Sequence, residues 1–368
     1  MERNSEFTKI LFIIAWVVLM LISCWATSES IYLLQPTMFG SWTKVVWWAI
    51  ALIFYGLWSL GTLLIVEGCK PYTDHAGRKI VGGVLIMLTW VFFGITTNTH
   101  TFFYKVSIKD VLVNDLAETK SFLRDLSNDQ TASNIINVDK DAYKARVEHC
   151  WANVSHEVMD KNNPGWGEKA VAAMQELNSA IGNNTNVQVP YISPNSGARE
   201  REKFLQELGR RVEEAKQLKI KEKYDARLAA ISSQKDKKAF AENIRAITNI
   251  ENKLKKNPTA SDEPSEATRL VLDNSYSLIS KYFDGLSDGL GGDQKSSLFG
   301  TKAYSESQKY KNVTMTRQML SVVIVWRDFL RGDPKLKGRG LWYWVMLSIF
   351  IDLAGFVFFD LAFRKEDY

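Results

Sequence analysis

The chain has 368 residues, of which 46% are apolar and 24% charged, with a formal net charge of +5 at neutral pH. Its mean hydropathy of -0.15 would suit a soluble protein, but that value averages apolar runs near both ends with a charged middle. The three cysteines, Cys24, Cys69 and Cys150, lie far apart, so no disulfide framework is implied.

Residues 1–97 form an N-terminal membrane region. Ile10–Ala26 is the first apolar run, short for a spanning helix. Leu21-Ile22-Ser23-Cys24 resembles a bacterial lipobox, which makes Cys24 a weak candidate for lipidation after cleavage; a retained helix is the plainer reading. Val45–Val66 is a second span, rimmed by Trp42, Trp47 and Trp48, and its Gly56 and Gly61 do not make a clean GxxxG. Ile80–Thr97 is a third, with Gly82, Gly83 and Gly94 and a polar exit at Thr96–His100. Of the 12 tryptophans, all but Trp151, Trp166 and Trp326 lie in or beside apolar runs, as interfacial anchors do.

Residues 98–340 read as a helical domain outside the membrane. Val106–Leu126, Ala132–Asp160 and Glu168–Ile181 are amphipathic, and the last is flanked by Asn163-Pro164-Gly165 and Gly182-Asn183-Asn184 as breakers. Val187–Gly197, with Pro190 and Pro194, predicts an irregular linker. Ala198–Lys256 predicts one long polar helix or two in a hairpin, with thin apolar stripes that suit coiled-coil-like packing and slip near Ser232-Ser233. Asn257–Pro264 breaks it. Glu266–Phe283 predicts a helix, Gly285–Gly300 a loop, and Val313–Leu330 a single apolar helix. No strand periodicity or internal repeat is visible.

Leu341–Phe363 is the fourth span, entered through Trp342, Tyr343 and Trp344. Asp352 sits near its centre. A carboxylate there costs roughly 2.5–3.5 kcal/mol on insertion scales, against roughly 0.3–0.6 gained per Leu, Ile, Phe or Val. The run therefore still inserts, and Asp352 must face protein or water rather than lipid. Ser348, Asp352 and Gly355 share one narrow face, and Asp360 lies about 80° around and roughly 12 Å further on. Asp352 is either a proton- or cation-conducting carboxylate, or a neutral packing group bonded to a hydroxyl such as Ser59, Thr62, Thr89 or Tyr55. Asp360 belongs near the headgroups.

His149, His156 and Asp160 are a weak metal candidate, because His156-Glu157 begins like a zincin motif but position 160 is Asp. Asp284, Asp288 and Asp293 match no calcium-loop spacing, and Lys295-Ser296 makes no P-loop. No cofactor is implied, and an enzyme is the poorer reading.

Basic residues in the short segments place both termini in the cytoplasm. Arg3, Lys9, Lys70, Arg78, Lys79, Arg364 and Lys365 then lie inside, and only Lys44 in the short external loop. Arg331, Lys335, Lys337 and Arg339 at the outer entrance to the last span argue the other way. This topology puts the helical domain outside and residues 364–368 in a cytoplasmic tail.

The expectation is an all-α integral membrane protein of four transmembrane helices, with an α-helical, partly coiled-coil-like domain between the third and fourth. Bacterial inner membrane is the expected location. The expected role is a structural or interaction subunit of a cell-envelope complex; the alternative is an ion- or proton-conducting component dependent on Asp352. Expected partners are membrane lipids and either another protein or a second copy. Nucleic acid is not expected for an extracytoplasmic domain.

Overall fold

The computed structural model describes residues 2–71, 74–162, 165–182, 186–193, 196–234, 237–256, 264–332 and 340–363. Lys335, Lys337 and Arg339, the tail 364–368 and the breaker residues 257–263 lie outside the described residues, as do Asn163-Pro164, Asn183-Asn184 and Pro194. Among the described residues every regular element is helical.

Four helices are long and apolar enough to cross a membrane: α1 (Glu2–Leu34), α2 (Thr43–Gly68), the helix that begins with α3 (Ala76–Trp90), and α15 (Leu341–Phe363). The chain is a multi-span membrane protein. On α15 the outward residues Met346, Phe350, Leu353, Val357 and Leu361 follow helical spacing, while Val345, Ser348, Asp352 and Gly355 are buried. An exposed apolar face of that extent is untenable in water and natural against lipid.

The helix that carries the third span continues beyond Thr97. It passes through a π-helical turn, Val91–Ile95, into α4 (Thr96–Asn128) without a break. The expected gap before Val106 is absent because the polar run 97–101 is itself buried helix. Likewise α1 extends beyond Ile10–Ala26 at both ends.

By compactness the chain forms two units, Met1–Glu118 with Ile247–Asp273 and Val313–Tyr368, and Thr119–Ala246 with Asn274–Asn312. The first contains the spans. In it α1 packs on α15 and α2, and α2 packs closely on α3. A Cβ on Gly83 would meet the Gly61 carbonyl at 2.6 Å, so these two glycines set the α2–α3 approach. Gly56 and Gly82 have nothing within 4 Å and play no such part.

Val313–Leu330 is two helices, α13 (Met315–Gln318) and α14 (Val322–Leu330). The Thr314 and Ser321 hydroxyls accept from the N–H groups of Arg317 and Ile324, so each starts a helix of its own. The apolar periodicity concealed these internal caps.

In the second unit α5 (Thr131–Met159) packs on α6 (Glu168–Ile181) and runs antiparallel to α7 (Ala198–Ile220) and α8 (Ala226–Gln234), which a π-helical turn at Lys221–Asp225 joins. The direction follows from Lys140 pairing with Asp225 at 2.8 Å, Lys216 with Glu148 at 3.5 Å, and Trp151 packing at Gly209. Phe240 on α9 (Lys237–Lys256) packs edge-on against Tyr282 of α10 (Glu266–Gly289). Asn243 accepts from Ser275 at 3.1 Å. Both halves of Ala198–Lys256 thus find partner helices. Val187–Tyr191 has no regular structure, as the linker reading expected.

Gly285–Gly300 is not a loop. Helix α10 continues to Gly289, and α11 (Gly292–Phe299) comes after it, with the Gln294 side chain accepting from the Gly291 N–H at 3.1 Å. The short α12 (Lys302–Ser307) is next. Glycine content suggested a loop, but the buried Leu286, Leu290 and Leu298 supply an apolar helix face that outweighs it.

Candidate functional site in the membrane bundle

The site forms where α1, the α3–α4 junction and α15 meet. Asp352 is fully buried on α15. The Trp90 indole N–H donates to its Oδ2 at 2.9 Å, and the Asn98 amide lies 3.4 and 3.5 Å from its two oxygens. The Asn98 amide also donates to Ser23 Oγ at 2.8 Å, and its carbonyl accepts from Thr27 Oγ1 at 2.9 Å. Thr27 in turn touches Thr97 Oγ1 at 3.1 Å. The Ser23 hydroxyl also bonds the carboxylate, and among the described residues no cation pairs with it. A buried charge is tolerated when hydrogen bonds take up its lone pairs.

The π-turn positions these donors. Its extra residue rotates the facing of α4 relative to α3, so that Trp90 before the turn and Asn98 after it reach one carboxylate. Gly94 within the turn leaves room for Trp90, since a Cβ there would meet the indole Cδ1 at 2.6 Å. Trp58 stacks on that ring at 5.3 Å. Carbonyls near the turn are taken up by side chains. Trp326 donates to Thr96 O at 3.1 Å and Ser348 to Ile95 O at 3.5 Å, while the Thr96 and Thr97 hydroxyls bond Phe92 O and Phe93 O.

The polar contacts continue along α1 and α4. The His100 ring bridges Ser30 Oγ at 2.8 Å and the Met319 carbonyl at 2.9 Å. A carbonyl only accepts, so Nε2 carries a proton and, in the neutral ring, Nδ1 accepts from Ser30. Thr101 donates to Ala26 O at 2.6 Å, and Lys105 pairs with Glu29 at 3.0 Å. Further along α4, Asp115 accepts from the Thr316 backbone and hydroxyl at 3.0 and 2.9 Å.

Of the residues singled out in the sequence, Ser348 and Asp352 are buried together and Asp360 is half-buried. The partners of Asp352 are Ser23, Trp90 and Asn98, not the hydroxyls of Ser59, Thr62, Thr89 or Tyr55. The first three of these bond carbonyls of their own helices, Tyr55, Trp58 and Ile86, and the Tyr55 hydroxyl has no hydrogen-bond partner among the described residues. The part played by Asn98 is hidden in the sequence, because the residue sits in an apparent polar exit of a span. The signal was present in α1, where Ser23, Thr27 and Ser30 recur on one face of an apolar helix.

Cys24 is buried with Ala51, Tyr55 and Trp58 inside the bundle. Residues of α1 before it pack on α15, with Trp16 against Phe359 at 5.2 Å and Phe12 on Phe358 at 5.9 Å. Cleavage at Cys24 would remove that packing. His149 and His156 are both exposed; neither joins Asp160 in a ligand set, and among the described residues no three His, Cys, Asp or Glu side chains are grouped to hold a metal ion.

Comparison with protein families, with curated proteins and with solved structures found no match to this chain.

Proposed function

We propose that the protein is a structural or interaction subunit of a cell-envelope complex, in which the membrane bundle is a fixed anchor and the helical region carries the contacts. The observation behind this reading is the way Asp352 is used. Its oxygens face Trp90 and Asn98 within the same bundle, which ties α15 to the third span and, through Asn98, to α1. A carboxylate so enclosed serves a lock better than a transport site.

The helical region, partly coiled-coil-like in this reading, exposes Val138, Leu218 and Tyr191 at 70%, 59% and 91%, side chains that a protein partner or a second copy would cover. The basic residues of the short segments support cytoplasmic termini and an extracytoplasmic domain, and bacterial inner membrane is the location that this reading adopts. Membrane lipids surround the bundle, and nucleic acid is no partner on that side.

Extraction in lipid nanodiscs tests the reading by mass. An assembly heavier than the 41.9 kDa chain, lost on Val138→Asp or Leu218→Asp while the variant stays folded, is expected. A single chain per particle contradicts it.

A second reading, proton or ion conduction through Asp352, draws on the row that continues from Thr27 and Asn98 to Ser30 and His100. Asp352→Asn separates the two. The amide keeps one acceptor for Trp90, so the anchor reading expects normal assembly and no change in liposome flux. Flux present in the parent protein and lost in a normally folded variant establishes conduction.

A further inference from the structure

Within the bundle, a cavity of about 20 Å3 is bordered by Ser23, Thr27, Tyr55 and Trp90. A buried water needs roughly 10–15 Å3 on this measure and two to four polar partners. The volume admits one water and no larger ligand.

The polar partners are in place. Tyr55 is 94% buried, being 6% exposed, and its hydroxyl has no hydrogen-bond partner among the described residues. That hydroxyl sits in a slot opened by Gly355 of α15, where a Cβ would come within 2.7 Å of it. Across the cavity, Ser23 Oγ accepts one bond from Asn98 and Thr27 Oγ1 gives its proton to the Asn98 carbonyl. A hydroxyl oxygen has two lone pairs, so each retains capacity to accept.

We propose that this cavity binds one structural water, which accepts from the Tyr55 hydroxyl and donates to Ser23 and Thr27. The water completes a continuous string from Tyr55 through Ser23 and Asn98 to Asp352. It thereby brings α2 into the polar lock, which otherwise joins α1, the third span and α15. The site holds equally for an anchoring or a conducting bundle, so it goes beyond the functional reading and does not depend on it.

The test is radiolytic labelling of the full chain in nanodiscs, with 18O-water mixed in just before exposure. A held water oxidises the side chains it touches despite their burial and retains 16O from before mixing. Tyr224, 1% exposed and with its hydroxyl accepting from Lys223 at 3.2 Å, is the reference, a buried tyrosine whose hydroxyl is already partnered. Several-fold more labelling of Tyr55 than of Tyr224, with retained 16O, is the expected result. Equal labelling overturns the proposal. Gly355→Ala displaces the tyrosine hydroxyl from its present position and is expected to abolish the excess; labelling unchanged in a folded Gly355→Ala protein also overturns it. If that variant does not fold, the comparison within the parent protein decides.

Discussion

Replacing Asn98 by alanine removes the hub of the lock. The fully buried side chain bonds Ser23 at 2.8 Å, accepts from Thr27 at 2.9 Å, and lies within 3.5 Å of both Asp352 oxygens. Hydrogen bonds between membrane helices average about 0.6 kcal/mol each, because the unfolded chain in the membrane also finds partners. The contact to a carboxylate adds about 1.5 kcal/mol. The sum is roughly 3 kcal/mol, with the deleted volume contributing further. Reversible unfolding in mixed detergent micelles measures it. Ser59→Ala is the control, since Ser59 bonds the Tyr55 carbonyl of its own helix, and should fall within about 0.5 kcal/mol of the parent. An Asn98→Ala protein no less stable than Ser59→Ala would refute the idea that this cluster holds the bundle together.

Individual contacts give two further outcomes. Gly94→Ala drives a methyl group into the Trp90 indole and should cost about 1–3 kcal/mol, whereas Gly82→Ala, with nothing within 4 Å, should be nearly neutral; equal effects in the same unfolding assay would contradict the packing described at the π-turn. Outside the spans, the hydrogen bond from Arg317 holds the Glu266 carboxyl below its ordinary value of 4.5. The folded-state value is the lower one, so the contribution is complete above pH 4.5 and is lost as acidification passes through the folded-state value. With Glu266 60% exposed the effect is small and falls with salt. A Glu266→Gln protein should lose that part of the acid sensitivity, and an unchanged acid profile would exclude the pair as its source.

The spans were legible because ~20 apolar residues in a row have few other uses. Asp352 was legible as a residue that must face inward, and it does. Its partners were not, because the π-turn that brings Trp90 and Asn98 to one carboxylate leaves no periodic signature in the sequence. Thr97–Thr101 reads as a polar exit when taken alone, yet it is buried because α1 offers Ser23, Ala26, Thr27 and Ser30 to it. Hydropathy describes each helix against solvent and carries no record of which polar faces meet. The same limit explains Gly285–Gly300, where glycines that suggest a loop are overruled by buried leucines.

The most direct test of an envelope-facing interaction subunit is sided labelling of intact cells. A cysteine placed at the exposed Ser296 is probed with a membrane-impermeant maleimide, the buried Cys24 and Cys150 are changed to Ser, and the exposed Cys69 is kept as the opposite-side reference. Labelling at position 296 but not at Cys69 is the result this account predicts. Labelling at Cys69 but not at position 296 would put the helical region in the cytoplasm and contradict it.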